Sequence, residues 1–213
     1  MTRAFTRSIN MHYLSHRFSI SHICLLLLLA GSVACNSPFT PKPKGYFEIA
    51  FPEKKYQTFD QSGYPYAFEL PIYATVVKDS TFFDSTPENP WWINIDFPQF
   101  NGRIHISYKD LRQSNFDKLV NDAFNLTYKH TSKATAIDDS VMHTTNGVHG
   151  VYFKVGGNAA TANQFFVTDS TRHFLRGALY FDVTPNEDSL QPVNDFLKQD
   201  LLHMIETFRW KNN

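Results

Sequence analysis

Two alternating stretches on either side of Asn101-Gly102 place the strongest constraint on the fold. Residues 91–97, WWINIDF, and residues 103–108, RIHISY, are apolar at every second position. A period of two is typical of a strand with one buried face. Asn-Gly tolerates positive φ at both positions and is a strong hairpin signal. The sequence therefore predicts an antiparallel pair. Its buried side chains are those of Trp91, Ile93, Ile95, Phe97, Ile104, Ile106 and Tyr108.

Similar patterns predict further strands at 46–51, 66–70, 137–142, 151–155, 164–169 and 174–183. Turns are expected at Asn146-Gly147, at Gly156-Gly157-Asn158 and at Asp169-Ser170.

The period changes to three and four in two segments, which predicts two amphipathic helices. In residues 114–130 the apolar stripe begins at Phe116, and Ser114 is the expected N-cap. The stripe comprises Phe116, Leu119, Val120, Ala123, Phe124 and Thr127. In residues 189–210, Pro192 is expected in the first turn, where its missing N–H costs little. That stripe comprises Val193, Phe196, Leu197, Leu201, Met204, Ile205 and Phe208.

The order of strands, helix, strands and helix, with hairpin connections, predicts an α+β fold in which two helices pack on an antiparallel sheet. This order is loosely similar to the sandwich of the Mog1 and PsbP proteins, which is an analogy of fold alone. Residues 46–213 are expected to form this single globular domain.

A short apolar run near the N-terminus predicts a cleaved signal and a lipid anchor. Residues 23–34 are mostly apolar, but a membrane-spanning helix needs about 20 such residues. Residues 1–22 hold three arginines and no acid, as in the charged region of a secretory signal. Ser32-Val33-Ala34-Cys35 resembles a bacterial lipobox. We therefore expect a signal peptide at 1–34, with Met1 or Met11 as its start, a lipidated Cys35 and a proline-rich tether at 35–45.

Charge and cysteine content exclude several classes of function. Removal of residues 1–34 takes three of the 20 basic residues and none of the 20 acidic ones, so the remaining chain has a formal charge of −3. That balance disfavours nucleic acid as a partner. With Cys35 lipidated, no thiol remains for disulfides, for catalysis or for cysteine zinc sites.

Six histidines remain after residue 34, and none forms a recognised metal-ligand spacing. His143 and His149 lie six residues apart around an expected turn, and His105 is expected on the solvent side of its strand. We expect surface or pocket histidines, no metal site and no cofactor.

Two polar segments could bear function. Residues 155–164, VGGNAATANQ, match neither a phosphate-binding nor a dinucleotide-binding loop. They form either a simple strand connection or a loop that a partner's backbone approaches closely. In residues 168–177, TDSTRHFLRG, the acid, hydroxyl and imidazole are sequence neighbours, which disfavours a catalytic triad. We expect Asp169 and Ser170 to make the turn and Arg176 to pair with an acid. The candidate interaction patch comprises Gly157, Asn158, Gln164, Asp169, His173 and Arg176.

Five segments in order resemble the gliding motility lipoprotein GldD family of Bacteroidetes. They are residues 43–60, 64–74, 93–109, 157–181 and 185–197. The resemblance implies a cell-envelope lipoprotein, needed for gliding and associated with type IX secretion, that has no established catalytic residues. Of functional residues, only the lipidated cysteine transfers, to Cys35.

We therefore expect a non-enzymatic assembly module, anchored to the membrane through its lipid, whose partners are other envelope proteins of gliding and secretion. Residue 36 is asparagine and no acidic cluster follows Cys35, which favours the periplasmic face of the outer membrane. The alternatives are a small envelope hydrolase that uses His173 and Asp169, or a PsbP-like ligand-binding module.

Overall fold

A computed structural model of the chain describes residues 48–80 and 86–211. The strands in these ranges are β1 (Tyr56–Phe59), β2 (Tyr66–Pro71), β3 (Thr75–Lys78), β4 (Ile93–Phe97), β5 (Gly102–Asp110), β6 (Ala134–His143), β7 (His149–Gly157), β8 (Asn163–Thr168), β9 (His173–Phe181) and β10 (Arg209–Trp210). The α-helices are α1 (Phe116–Tyr128) and α2 (Glu187–Thr207), and short 3₁₀ turns lie at Pro98–Phe100 and Lys129–Ser132.

The strands form two antiparallel sheets. The larger sheet has the order β3-β4-β5-β9-β8-β7-β6, and the smaller one has the order β1-β2-β10. Within the larger sheet the predicted pair is in register, with Ile95 opposite Ile104 and Phe97 opposite Gly102. The connection between them contains the turn Pro98–Phe100, and Asn101 adopts φ 47°. The α+β class and the hairpin at Asn101-Gly102 are confirmed.

The face of the seven-stranded sheet that is turned toward α2 is called the inner face. It is apolar across the central strands, and α2 and the small sheet pack against it. The inner face comprises Ile93, Ile95, Phe97, Ile104, Ile106, Tyr108, Phe165, Val167, Leu175 and Leu179. From α2 it receives Val193, Leu197, Leu201, Met204 and Ile205, which confirms the predicted stripe.

The opposite face, called the outer face, packs against α1. The apolar stripe of this helix contacts Val151, Phe153, Phe166 and Phe174 of β7, β8 and β9. Because strand side chains alternate between faces, Phe166 lies on the outer face and its neighbours Phe165 and Val167 on the inner one. The predicted stripe of α1 is confirmed.

Several boundaries differ from the predictions. Residues 48–51 are not a strand, although alternation predicted one over 46–51. β1 and β3 were not predicted, because four-residue strands at a sheet edge show too little alternation. Helix α1 is capped by Asn115 rather than Ser114, since the Asn115 side chain accepts a hydrogen bond from the Lys118 N–H at 2.8 Å.

Pro192 lies in the helix interior rather than in the first turn. Helix α2 begins at Glu187, because the side chain of Asn186 caps it by accepting the Ser189 N–H. The predicted start at residue 189 overlooked this cap.

The predicted signal peptide, Cys35 and the tether lie outside the described residues. Within the described ranges, no helix is long and apolar enough to cross a membrane.

Candidate interaction surface

Beyond the part that α1 packs against, the outer face is polar on β4 and β5. Odd positions of β4 point to the inner core, so Asn94 and Asp96 point the other way. The same alternation places Arg103 and His105 of β5 on the outer face, and Tyr180 of β9 lies directly opposite Arg103. These five residues form the polar face.

An ion pair spans β4 and β5 on the polar face. Asp96 and Arg103 are opposite each other in register. The Arg103 Nε donates to Asp96 Oδ1 at 2.6 Å, and Nη2 donates to Oδ2 at 2.8 Å. Such a two-bond pair fixes the plane of the guanidinium. The hydrogen bond to Asp96 raises the pKa of Arg103, and the charges of Asp79 and Asp182 add to the effect.

A groove of about 600 Å³ lies beside this ion pair. We call it the acidic groove, and it is lined by Asp96, Phe97, Pro98, Asn101, Gly102, Arg103, His105, Tyr180, Phe181 and Asp182. Two carboxylates of the lining, those of Asp96 and Asp182, act on the single guanidinium of the lining, that of Arg103. The groove therefore has an excess of negative charge and favours a cationic partner group.

His105 is less exposed than the alternating pattern predicted. Its ring makes an edge contact with Tyr180, with 5.6 Å between the ring centroids. Burial lowers the pKa of His105, and the nearby Arg103 lowers it further, so the imidazole is neutral at pH 7. Hence the negative charge of the acidic groove is not offset by this histidine.

Asn94 lies next to His105 in register and is 6% exposed. Its amide oxygen has no hydrogen-bond partner among the residues that the structure describes. Leaving a buried amide oxygen unpaired costs free energy, so this atom is a ready acceptor at the floor of the polar face.

Gly157 and Asn158, from the predicted patch, contact other parts of the same chain. Gly157 has φ 88°, and a Cβ there would lie 2.7 Å from the Lys133 carbonyl oxygen and the Thr135 nitrogen. The backbone that approaches this glycine closely is therefore the start of β6. The Asn158 Oδ1 accepts a hydrogen bond from the Glu187 N–H at 2.8 Å, which ties the loop to the first residue of α2.

Gln164 and Arg176 contact each other beneath α1. Gln164 is fully buried, and its Oε1 accepts a hydrogen bond from Arg176 Nη2 and another from the Thr127 hydroxyl at 3.3 Å. Arg176 is half-buried, and burial lowers the pKa of its guanidinium. The expected acidic partner of Arg176 is thus replaced by an amide.

Asp169 and His173 hold the turn between β8 and β9. The Asp169 Oδ1 accepts the backbone N–H groups of Thr171, Arg172 and His173, at 3.0, 2.8 and 2.8 Å. Burial alone would raise the pKa of Asp169, but these three N–H groups bring it below its usual value. Ser170 adopts φ 63°, so the two residues make the turn as predicted.

The imidazole of His173 is buried, at 8% exposure. Its Nδ1 forms a hydrogen bond with the Tyr108 hydroxyl at 2.6 Å, and its ring stacks on Trp210 with 4.9 Å between centroids. Burial lowers the pKa of His173. The Asp169 carboxylate contacts the backbone of His173, so these two side chains do not form the couple that the hydrolase alternative requires.

The predicted patch is therefore not one surface. Gly157 and Asn158 lie beyond the start of β8, whereas Asp169 and His173 lie beyond its end. Five residue steps at about 3.3 Å put roughly 17 Å between the two groups. Gln164 and His173 are also buried, which corrects their expected place on the surface.

One cluster was missed by sequence reasoning. Asp200 is 1% exposed on the apolar stripe of α2. Lys54 Nζ lies 2.7 Å from its Oδ2, the Tyr56 hydroxyl donates to Oδ1 at 3.1 Å, and the Tyr73 hydroxyl donates to Oδ2. Burial, followed by the charge of Asp200, raises the pKa of Tyr56 to about 12. An acid between Leu197 and Leu201 was the available signal of a buried partner.

Comparison with known proteins identifies a family and a structural similarity. A family model described as "Gliding motility lipoprotein GldD" matches residues 36–210. No curated protein sequence matches the chain. The solution structure of cyanobacterial PsbP (CyanoP) from Synechocystis sp. PCC 6803 is similar over 82% of this chain and 100% of that chain, with a TM-score of 0.45 and 9% identity. At this score and identity the similarity says nothing about what the chain binds.

Proposed function

Because this chain belongs to the gliding motility lipoprotein GldD family, we propose that it is a lipid-anchored assembly module whose acidic groove holds a partner protein of the gliding machinery. The family places the chain in the cell envelope and in gliding motility. In this role the domain acts through contacts rather than catalysis. Its partners belong to gliding and type IX secretion, and it lies on the periplasmic face of the outer membrane.

The charge of the acidic groove is the observation that supports a contact role. Asp96 and Asp182 outnumber Arg103 in the lining of the groove, and His105 is neutral at pH 7. A surface with one sign of charge steers a partner of opposite sign and rejects partners of like sign. We therefore expect the partner to offer lysine or arginine side chains to the groove.

The hydrolase alternative receives less support from its two named residues. The ring of His173 is engaged with Tyr108 and Trp210, and the Asp169 carboxylate is engaged with backbone N–H groups. A general base must lie within hydrogen-bond reach of the group that it activates. The ligand-binding alternative keeps some support, since about 600 Å³ is within the size range of small-molecule pockets.

Lipidation of Cys35 is part of the proposal. Two or three acyl chains hold a protein firmly on a membrane, whereas one chain binds reversibly. We expect Cys35→Ser to abolish labelling with a radioactive or clickable fatty acid and to release the protein from the membrane fraction. A Cys35→Ser protein that is still labelled and still sediments with membranes would contradict the anchor.

The contact role is tested by co-purification of the tagged full chain from cells, after cross-linking in the envelope. Asp182 is exposed at the rim of the groove, so Asp182→Lys reverses charge without disturbing the core. We expect on the order of a tenfold loss of the captured partner, and a smaller loss for Asp182→Asn.

Asp139→Lys is the matched control, because Asp139 is exposed on β6 at the far edge of the same sheet. It should capture the partner as the wild type does. Equal capture by Asp182→Lys and wild type would exclude the acidic groove as the contact surface. In that case a small cation would remain the candidate occupant, to be tested by direct titration.

A further inference from the structure

The hairpin between β6 and β7 brings two imidazoles together. His143 and His149 are directly opposite in register, at the last pair before the turn. Their Nδ1 atoms are 2.9 Å apart, and their ring planes meet at 68° with 5.0 Å between centroids. Both residues are exposed, so the site is open to solutes.

The turn that joins the two histidines is held by several hydrogen bonds. The Thr144 N–H donates to the Val148 carbonyl at 2.9 Å, and Gly147 adopts φ 71°. Asn146 Nδ2 donates to the carbonyl oxygen of Phe208 at 3.2 Å, and Val148 is fully buried. A turn fixed in this way presents the two rings at little cost in conformational entropy, which favours ligand binding.

The separation of the two nitrogen atoms suits a metal ion. Imidazole nitrogen binds zinc at about 2.0–2.1 Å, so two nitrogens at 90° around a metal would be about 2.9 Å apart, and about 3.3 Å in a tetrahedral site. Imidazole is a good ligand for Cu²⁺, Zn²⁺ and Ni²⁺, whereas Mg²⁺ and Ca²⁺ prefer oxygen.

We propose that His143 and His149 form a two-ligand site for one divalent late transition metal ion, with Cu²⁺ bound most tightly. Both rings bind the metal through Nδ1, the atoms that face each other across the hairpin. Water or a side chain of a partner protein fills the remaining positions. No group of three or more metal-ligating side chains occurs in the described ranges, so the affinity depends on these two rings.

The lipidated protein, as it is purified from membranes in detergent, is freed of metal and titrated with CuCl₂, ZnCl₂ or MgCl₂ in a calorimeter. We expect one Cu²⁺ per chain, weaker Zn²⁺ and no Mg²⁺ binding. His143→Gln and His149→Gln should each weaken Cu²⁺ binding at least tenfold. Val141→Gln is the control, because Val141 is 70% exposed two residues from His143 and supplies no ligand.

Electron paramagnetic resonance of the Cu²⁺ complex gives an independent readout. Two equatorial nitrogens in the wild type, and one in each histidine variant, are expected. Absence of Cu²⁺ binding by the wild type, or equal binding by His143→Gln and wild type, would overturn the proposal. The 2.9 Å separation would then be a hydrogen bond alone.

Discussion

The two faces of the seven-stranded sheet differ in what their side chains do. On the inner face most residues of the central strands are apolar and buried, and Asn163 is a buried polar exception whose side chain donates to Asn194 of α2. On the outer face, a buried apolar cluster of Val151, Phe153, Phe166 and Phe174 lies where α1 packs. The rest of β4 and β5 on that side is polar and adjoins the acidic groove.

This difference separates stability from recognition. Burial of apolar side chains is the dominant favourable contribution to folding, so the inner face and α2 should determine whether the chain folds. Exposed charges contribute little to the free energy of folding. Substitution of carboxylates in the acidic groove should therefore change binding with little loss of stability. Substitutions on the two faces should therefore have effects of different size and kind.

The largest effect is expected from Phe208→Ala, at the end of α2. Phe208 is 2% exposed and stacks on Tyr66 and Phe68 of β2, with centroid distances of 5.8 and 6.2 Å. Truncation of a buried phenylalanine lowers the free energy of unfolding by about 3–5 kcal/mol. Urea unfolding followed by tryptophan fluorescence measures the change. A loss under about 0.5 kcal/mol, the size expected of an exposed site, would show that Phe208 does not contribute to the core.

The next effect concerns Arg176, which the sequence placed in an exposed patch. Arg176→Glu would put a carboxylate beside the buried Gln164, where it replaces a donor that Gln164 Oε1 uses. We expect the free energy of unfolding to fall by about 2 kcal/mol, because a charge is left without a partner. A thermal melt measures this, with Asp139→Lys as the exposed comparison. An unchanged melting temperature would indicate that Arg176 is exposed at the surface.

A smaller effect is expected from pH. Burial lowers the pKa of His105, His130 and His173 in the folded chain. The unfolded chain takes up protons near pH 6.5, before the folded chain does, so stability should fall as pH decreases from about 7 to about 5. For each proton that the unfolded chain binds in excess of the folded chain, the free energy of unfolding falls by up to about 1.4 kcal/mol per unit decrease in pH.

Urea unfolding at pH 7.5, 6.5 and 5.5 measures the slope, which His173→Gln should reduce. Asp169 has a lowered pKa and so loses its contribution only below about pH 4, outside this window. Equal stability at the three values would contradict the buried, neutral histidines.

The parts of the fold that the sequence predicted are those set by local pattern. The stripe of α2 and the pair joined at Asn101-Gly102 were predictable because their periodicity is complete within one segment. The predicted N-cap of α1 was wrong by one residue. Serine and asparagine are both good N-cap residues, and only the backbone geometry shows that Asn115 rather than Ser114 caps the helix.

The candidate site was less predictable because it depends on contacts between distant segments. Gln164 and Arg176 are polar in sequence, yet α1 packs over them. The acidic groove joins residues of β4 and β5 to Asp182, about 80 residues later in the chain. His143 and His149 were noticed as a spacing, but only the register of the hairpin places their rings together.

The smallest effect on stability is expected at the groove itself. Asp182→Lys changes an exposed side chain, so its free energy of unfolding should stay within about 0.5 kcal/mol of the wild type. A urea titration of both proteins measures the difference. A loss above about 2 kcal/mol would mean that Asp182 is structural and that binding and folding are not separated on this face.

Gliding speed of cells that produce only the Asp182→Lys protein tests the proposed contact role most directly. Membrane fractions should contain the protein at wild-type amounts, so that stability and anchoring are unchanged. We predict that these cells lose most of their gliding, while Asp139→Lys cells glide as the wild type does. Normal gliding of Asp182→Lys cells, with the protein present at wild-type amounts, would contradict a function that depends on the acidic groove.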